Sequence, residues 1–456
     1  MSTLALLKKF SFPGGVHPPE KKSLTSESEI HYGFSPDQVA VLLSQHIGAI
    51  CKPLVGKGDV VKAGQKIGDS ESFVSAPVHS PVNGKVKEIA LRPHAVIGRV
   101  QAVIIDTVPE NQVRHGAFQV PDNFSIEKYS AEKICEAARE AGLVGMGGAG
   151  FPTRVKIEPN PKSPKTTMIV NGCECEPYIT CDYRIMLEWT KQIITGVKLA
   201  QKASGCKEVF FAIEDNKPHA IDVVQKALAD SGADNMKVVT VKTKYPQGGE
   251  RQLINAVLQK IVPTGGIPPM IGLLVMNVAT CAALAEAVIV ATPLTHRVVT
   301  VTGEAIAKPG NFYVPVGTPV GKLLDYCGGV TQKSARVILG GPMMGLAIAD
   351  LDTPTTKTTG AITVITREQM GVAKFEHRQT ACIRCGRCLA VCPENLNPTK
   401  IAHAVKNELY DVAKSYFMSA CIECGCCSYV CPANIELTGY IKTGKIYVAR
   451  QKKRIP

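Results

Sequence analysis

The sequence predicts a multidomain α/β chain: a small β domain, a parallel-sheet α/β domain, a β-rich segment, and a cysteine-rich α domain at the C-terminus. Three observations predict it. Short valine-rich strands alternate with Gly and Asp turns from Leu54 to Lys87. From Tyr129 onward, apolar strands alternate with helical stretches, the pattern of a parallel sheet covered by helices. Near the C-terminus, eight cysteines form two copies of C-x-x-C-x-x-C-x-x-x-C-P.

The chain has 456 residues, enough for three or four domains. No apolar run approaches the ~18 to 20 residues that span a bilayer. Leu4 to Leu7 is too short for a signal-peptide core, and Lys8 and Lys9 follow it rather than precede it. Seventeen cysteines in a long chain without a secretion signal fit a reducing compartment. The expected location is the cytoplasm or the cytoplasmic face of the membrane, held peripherally. The formal net charge is +13. No nucleic-acid motif accompanies it, so nucleic acid is not an expected partner. Lys442, Lys445, Arg450, Lys452, Lys453 and Arg454 form a basic tail, residues 441–456, suited to an anionic membrane surface or an acidic partner. The alternative is a frayed end.

Residues 1–40 are Pro- and Ser-rich and read as an N-terminal extension. Residues 41–120 carry the valine-rich strands of a small β-sandwich, which resembles the barrel-sandwich fold of biotinyl and lipoyl carriers. Those carriers bear a modified lysine at a hairpin tip. Here that stretch is Asp69 to Ser75, with no Lys, so the domain reads as structural. Residues 125–293 hold the α/β pattern. Ser130 is placed to cap a helix running to Gly142. Thr167 to Val170, Val209 to Ile213, Val238 to Val241 and Leu273 to Met276 read as strands. Trp189, Ile193, Ile194, Val197 and Ala200 mark one helix face. Residues 294–349 are β-rich, with a short helix near Val320 to Tyr326. Residues 350–372 read as a Thr-rich linker, and residues 373–440 as the cysteine domain.

The double cysteine run is that of two-cluster ferredoxins. Three closely spaced thiolates hold one [4Fe–4S] cube, and the fourth crosses to the other. The expected sets are Cys382, Cys385, Cys388 and Cys431, and Cys421, Cys424, Cys427 and Cys392. Zinc is the alternative, but it usually takes two separated ligand pairs. Cys426 reads as a bystander.

A glycine-rich loop, Gly145 to Gly150, precedes Phe151 and Pro152. Successive N–H groups in such a loop suit a phosphate. Asn171 to Glu176 follows a strand directly, where ligands bind in open α/β sheets. Glu174 and Glu176 there could hydrogen-bond ribose or ribityl hydroxyls. Cys173 and Cys175, one residue apart, make a poor metal or disulfide pair.

The loop and the acidic turn resemble those of the flavin- and NADH-binding subunit of respiratory complex I. With the carrier-like domain before them and the two ferredoxin runs behind, the whole order resembles the RnfC family. Its members belong to Rnf complexes, membrane-bound ferredoxin:NAD oxidoreductases that translocate Na⁺ or H⁺. The resemblance implies a Rossmann-like flavin/NADH domain, a ligand-binding β-grasp domain around Arg297 to Gly345, FMN, NAD(H) and two [4Fe–4S] clusters. It implies that Gly145, Gly147, Gly148 and Gly150 hold the FMN phosphate and let NADH approach. Phe151 would stack on the adenine and Lys156 would contact the dinucleotide. Asn171, Glu174, Glu176, Tyr245, Glu250 and Asn277 would line the flavin and nicotinamide pocket, with Glu176 as the catalytic candidate. The sequence departs from its complex I relative at Met146, Cys173 and Cys175. The implied partners are NADH and the other subunits of a membrane complex, including its ferredoxin-type subunit. A corrinoid reductase of similar module order and a flavin-free electron conduit are the rival readings.

Overall fold

The computed structural model of the protein describes residues 10–108, 116–331, 333–369 and 379–452. Lys453 and Arg454 of the basic tail lie outside the described residues, as do parts of the expected extension, sandwich, linker and cysteine domain.

Two antiparallel sheets form the β domain. In one, Gln38–Leu42, Gly98–Thr107, Gly84–His94 and Val60–Val61 pair in that order. The other joins Lys52–Pro53, Lys66–Asp69 and Val78–His79. Strand periodicity sends Val39, Val41, Val103 and Ile105 to one face, where they meet Ile67 and Val78 of the second sheet. Ala40, Leu42, Ala102 and Ile104 fill the opposite face.

Residues 10–40 are not a free extension. Phe10 bridges to Val241, and Val16 bridges to Tyr245. Ile30–His31 adds a parallel strand to the β-grasp sheet, and Gln38–Leu42 opens the sandwich. Phe12, Val16 and Ile30 are the buried anchors. Single apolar residues among Pro and Ser leave no periodic signal to read.

The α/β domain has a four-stranded parallel sheet in the order Met236–Val241, Glu208–Glu214, Thr167–Gly172, Leu273–Asn277. All four expected strands are present. Ser130 caps the helix Ala131–Glu140 by accepting from the Lys133 N–H at 3.3 Å. The helices Thr190–Ser204 and Val278–Val290 touch at Gly196, where any Cβ would collide with the Cys281 carbonyl. That contact fixes the second helix, whose N-terminus borders the site.

The Thr-rich stretch 350–372 is not a linker. Ala361–Thr366 is a strand in the middle of the six-stranded β-grasp sheet, between His296–Thr302 and Ser334–Leu339. Thr353, Thr355, Lys357 and Thr359 before it are buried. Lys357 joins three domains. Its Nζ donates to the Pro77 and Gly142 carbonyls at 2.6 and 2.7 Å, and its carbonyl accepts from Arg297 Nη1 at 2.6 Å. Burial pushes its pKa down to about 7.

The cysteine domain repeats itself: each cysteine of the second run follows its counterpart by 39 positions. The helices Arg387–Ala390 and Cys426–Tyr429 follow matching left-handed glycines, Gly386 and Gly425. The basic tail does not begin as a separate end. The helix Leu437–Lys452 runs through it, with Ile441 in the domain core and Lys445 Nζ donating to Glu423 at 2.5 Å.

Candidate functional site

Asn171 and Asn277 stand opposite each other at the C-terminal ends of adjacent parallel strands. The glycine loop lies beside them. It closes on itself through the Gly145 N–H to the Phe151 carbonyl at 2.8 Å and the Gly150 N–H to the Gly145 carbonyl at 3.2 Å. A Cβ on Gly147 would come within 3.4 Å of Asn277. Gly148 has φ +115 and faces open space, a conformation suited to glycine and a surface from which backbone can reach a ligand. Met146 is buried, so its side chain does not replace the arginine of the complex I relative in the cleft. Its N–H donates to Thr280 Oγ1 at 2.9 Å and its carbonyl accepts from Arg297. Phe151 is half-buried. Lys156 and Glu250 are brought together as an ion pair at 2.9 Å.

The acidic turn is built on buried polar contacts. Glu174 adopts φ 51, and its carboxylate accepts the Asp182 N–H at 2.6 Å and the Tyr183 N–H at 3.3 Å, capping the helix Cys181–Glu188. Burial raises its pKa to about 7. Asn277 accepts from the Ala279 N–H at 2.9 Å and donates to Asp182 at 2.6 Å. Asn171 donates to the Gly248 carbonyl at 2.8 Å, fixing the loop that holds Glu250. Two lysines not singled out from sequence support the turn. Lys22 donates to the carbonyls of Glu174, Glu176 and Ile179 at 2.8, 3.0 and 2.6 Å. Lys217 donates to the Cys173 carbonyl and to Glu214. Cys175 accepts from the Gly248 N–H, and burial pushes its thiol up to about 12, so it carries no reactive thiolate.

Two expected pocket residues reach elsewhere. The Glu176 carboxylate accepts the Met343 and Met344 N–H groups at 3.1 and 2.7 Å, in a β-grasp loop. Burial lifts its pKa to about 7 against those two donors. Tyr245 is buried and its hydroxyl donates to the Cys424 carbonyl at 2.7 Å. Tyr245 thus acts as a strut toward the cysteine domain and Glu176 as one toward the β-grasp loop, connections between distant segments that local motif reading does not reveal. Val16, Tyr245, Cys424 and Cys426 form one apolar cluster with Cys175 and Met343 at its edge.

Cys392, Cys421, Cys424 and Cys427, the crossed set expected for the second cube, line one cavity together with Cys426. Backbone N–H groups aim at the sulfurs of both runs: Arg384 to Cys382, Leu396 to Cys392, Glu423 to Cys421 and Ile435 to Cys431, at 3.3 to 3.4 Å. Soft sulfur ligands with such N–H partners fit iron–sulfur cubes. Cys426 is fully buried, its Sγ 3.9 Å from the Tyr245 carbonyl oxygen.

Four family models match successive parts of the chain. They describe an RnfC barrel sandwich hybrid domain over residues 10–110, a Nuo51 FMN-binding domain over 138–286, an SLBB domain over 298–347 and a 4Fe-4S dicluster domain over 374–432. The chain is 41% identical to the C component of the proton-translocating ferredoxin:NAD(+) oxidoreductase complex of Clostridium ljungdahlii, over 89% of this chain and 87% of that one. It belongs to the RnfC family. The counterpart in the Na(+)-translocating ferredoxin:NAD(+) oxidoreductase complex of Acetobacterium woodii is 39% identical, over 90% of each chain. That of the ion-translocating oxidoreductase complex of Rhodobacter capsulatus is 38% identical over 87% of this chain and 75% of that one. Among solved structures, an NAD+-reducing [NiFe]-hydrogenase in the air-oxidized state shares the fold, with a TM-score of 0.51 and 19% identity over 73% of this chain and 66% of that one. In this RnfC-family chain the flavin and iron–sulfur domains expected from the motifs are present in the expected order. Among the described residues, no helix is long and apolar enough to cross a membrane.

Proposed function

We propose that this chain is the NAD(H)-, FMN- and iron–sulfur-binding subunit of a membrane-bound ferredoxin:NAD oxidoreductase complex, passing electrons between NAD(H), FMN and two [4Fe–4S] clusters. In the complex that transfer is coupled to Na⁺ or H⁺ translocation. The observation that carries this reading is the contact between the acidic turn, Tyr245 and the cavity of Cys392, Cys421, Cys424 and Cys427. Bound FMN supplies the exchange between hydride and single-electron chemistry. The chain's own residues do the positioning. Gly145, Gly147, Gly148 and Gly150 present backbone to phosphate. Asn171, Glu174 and Asn277 shape the floor, and the Lys156–Glu250 pair opens to meet ribose or phosphate. Tyr245 seats the cysteine domain against that floor, and Glu176 holds the adjoining β-grasp loop. The two sulfur sets are those of the crossed ferredoxin pattern, and the protein sits peripherally on the cytoplasmic face, docked to other subunits that include a ferredoxin-type one.

The test is anaerobic purification with flavin, iron and sulfide analysis, followed by NADH addition. Bleaching of a flavin band and then of a broad iron–sulfur absorbance is expected. Protein that binds no flavin, or contains zinc, refutes the reading. Cobalamin reduction faster than reduction of ferredoxin-type acceptors would move it to the corrinoid reductases.

A further inference from the structure

We propose that the barrel-sandwich domain forms the adenosine wall of the dinucleotide cleft and that Phe73 stacks on the adenine as a second ring beside the one expected of Phe151; this rests on the NADH reading above. The sandwich packs directly against the glycine loop. The Ile47 N–H donates to the Gly150 carbonyl at 3.1 Å, and a Cβ on Gly150 would lie 3.6 Å from His46 Cα. The same segment pairs with the hairpin tip, where the Ala49 N–H donates to the Val74 carbonyl at 3.0 Å. A continuous lip therefore runs from Gly150 through Ile47 to Phe73.

The lip is apolar and uncovered: Ile47, Ile50 and Phe73 are 53%, 56% and 58% exposed. Apolar side chains gathered at the rim of a polar loop suit a flat ring that removes them from water. Phe73 is also held in place. The Arg154 guanidinium carbon lies 5.4 Å from its ring centroid, leaving much of the ring open. Arg154 belongs to Thr153–Ile157, the helix directly after Phe151 and Pro152. Arg139 clamps the root of the hairpin, donating to Asp69 at 2.7 Å and to the Ser70 carbonyl at 2.8 Å. The hairpin and the glycine loop are thus fixed to one body, which a binding wall requires. With pyrophosphate at the glycine loop, the adenosine half has to leave the loop along a flank, and this lip is an apolar flank with an aromatic ring. The hairpin that bears a modified lysine in carrier domains serves here as a purine platform.

The experiment compares NADH with reduced nicotinamide mononucleotide, which lacks the adenosine half, using ferricyanide as acceptor and the full chain. Phe73→Ala should raise KM for NADH about tenfold, the scale of one base–aromatic stack. It should leave kcat and the KM for the mononucleotide unchanged, while Phe73→Tyr retains the wild-type KM. An unchanged KM for NADH in Phe73→Ala overturns the inference. So does an equal loss for both substrates, which would mean that the hairpin only props the loop. Wild-type protein that oxidises neither substrate refutes the NADH reading itself, and the inference with it.

Discussion

The two halves of the cysteine domain share a backbone and differ in their surroundings. Arg384 and Glu423, Gly386 and Gly425, and Asn395 and Asn434 adopt matching left-handed conformations. Cys388 and Cys427 approach Thr399 and Thr438 in the same way. Yet Cys382 and Cys385 are exposed, with Ile383 66% exposed between them, whereas their counterparts are half-buried at Cys421 and buried at Cys424. The second half is covered by Tyr245 at Cys424 and by the Met343 loop at Gly425, and Gly14 packs on Cys392, which the first run contributes to the same cavity. One half therefore faces the flavin domain and the other faces outward. A repeated motif with one sheltered and one bare copy has a direction, which neither copy has alone.

The comparison breaks most readily at the cysteines themselves. Cys427→Ser should abolish cluster reduction by NADH, because it removes the half that faces the cleft. Cys388→Ser should halve the iron content and leave one cluster reducible by NADH. Electron paramagnetic resonance of samples reduced with NADH and with dithionite separates the two, and equal behaviour of the variants would remove the direction. Gly148→Val comes next. A β-branched residue at φ +115 is strained and obstructs the open face of the loop. NADH-dependent flavin reduction should fall at least a hundredfold, on the order of 3 kcal/mol, while dithionite still reduces both halves.

Tyr245→Phe sharpens the same comparison more gently. It removes one hydrogen bond to the sheltered half, a loss on the order of 1 kcal/mol. Stopped-flow traces should show flavin reduction at the wild-type rate and cluster reduction slowed several-fold; a slowed first phase instead would return Tyr245 to the nicotinamide pocket. The smallest effect is expected at Glu176. Its folded pKa of about 7 lies above the ordinary 4.5. The native state therefore holds a proton that the unfolded chain releases. That contribution to stability is complete below about pH 4.5 and is lost as pH rises through about 7. Glu176→Gln cannot titrate, so its melting temperature should fall less than wild type between about pH 5 and about pH 8. A slope equal to that of wild type would refute this role.

Local spacing made part of this molecule legible. The cysteine runs carry the iron–sulfur signal of their domain in their intervals, and the four parallel strands and the glycine loop are short-range patterns. The strand Ala361–Thr366 was concealed because the Thr-rich stretch before it resembles a linker, although Thr355 and Thr359 are buried. Lys22, Lys217 and Lys357 were concealed because lysine is ordinarily a surface residue. Each is retained by carbonyl oxygens that arrive from remote segments, although Glu214, a partner of Lys217, is close by in sequence. The same reason hides the partners of Glu176 and Tyr245: their identities match the family pattern, and their hydrogen bonds run to other domains.

The earliest segment of the chain is also among the last to find its seat. The Gly15 N–H donates to the Val391 carbonyl at 2.8 Å, and Val16 pairs with Tyr245. During synthesis, domains generally fold as they emerge, N-terminal first. The Gly14–Val16 segment has to wait until its partner in the cysteine domain leaves the ribosome. Its docking therefore marks the arrival of the cysteine domain: a polypeptide released before Val391 keeps its nucleotide-binding modules but lacks the contact that seats Gly14–Val16 on that domain.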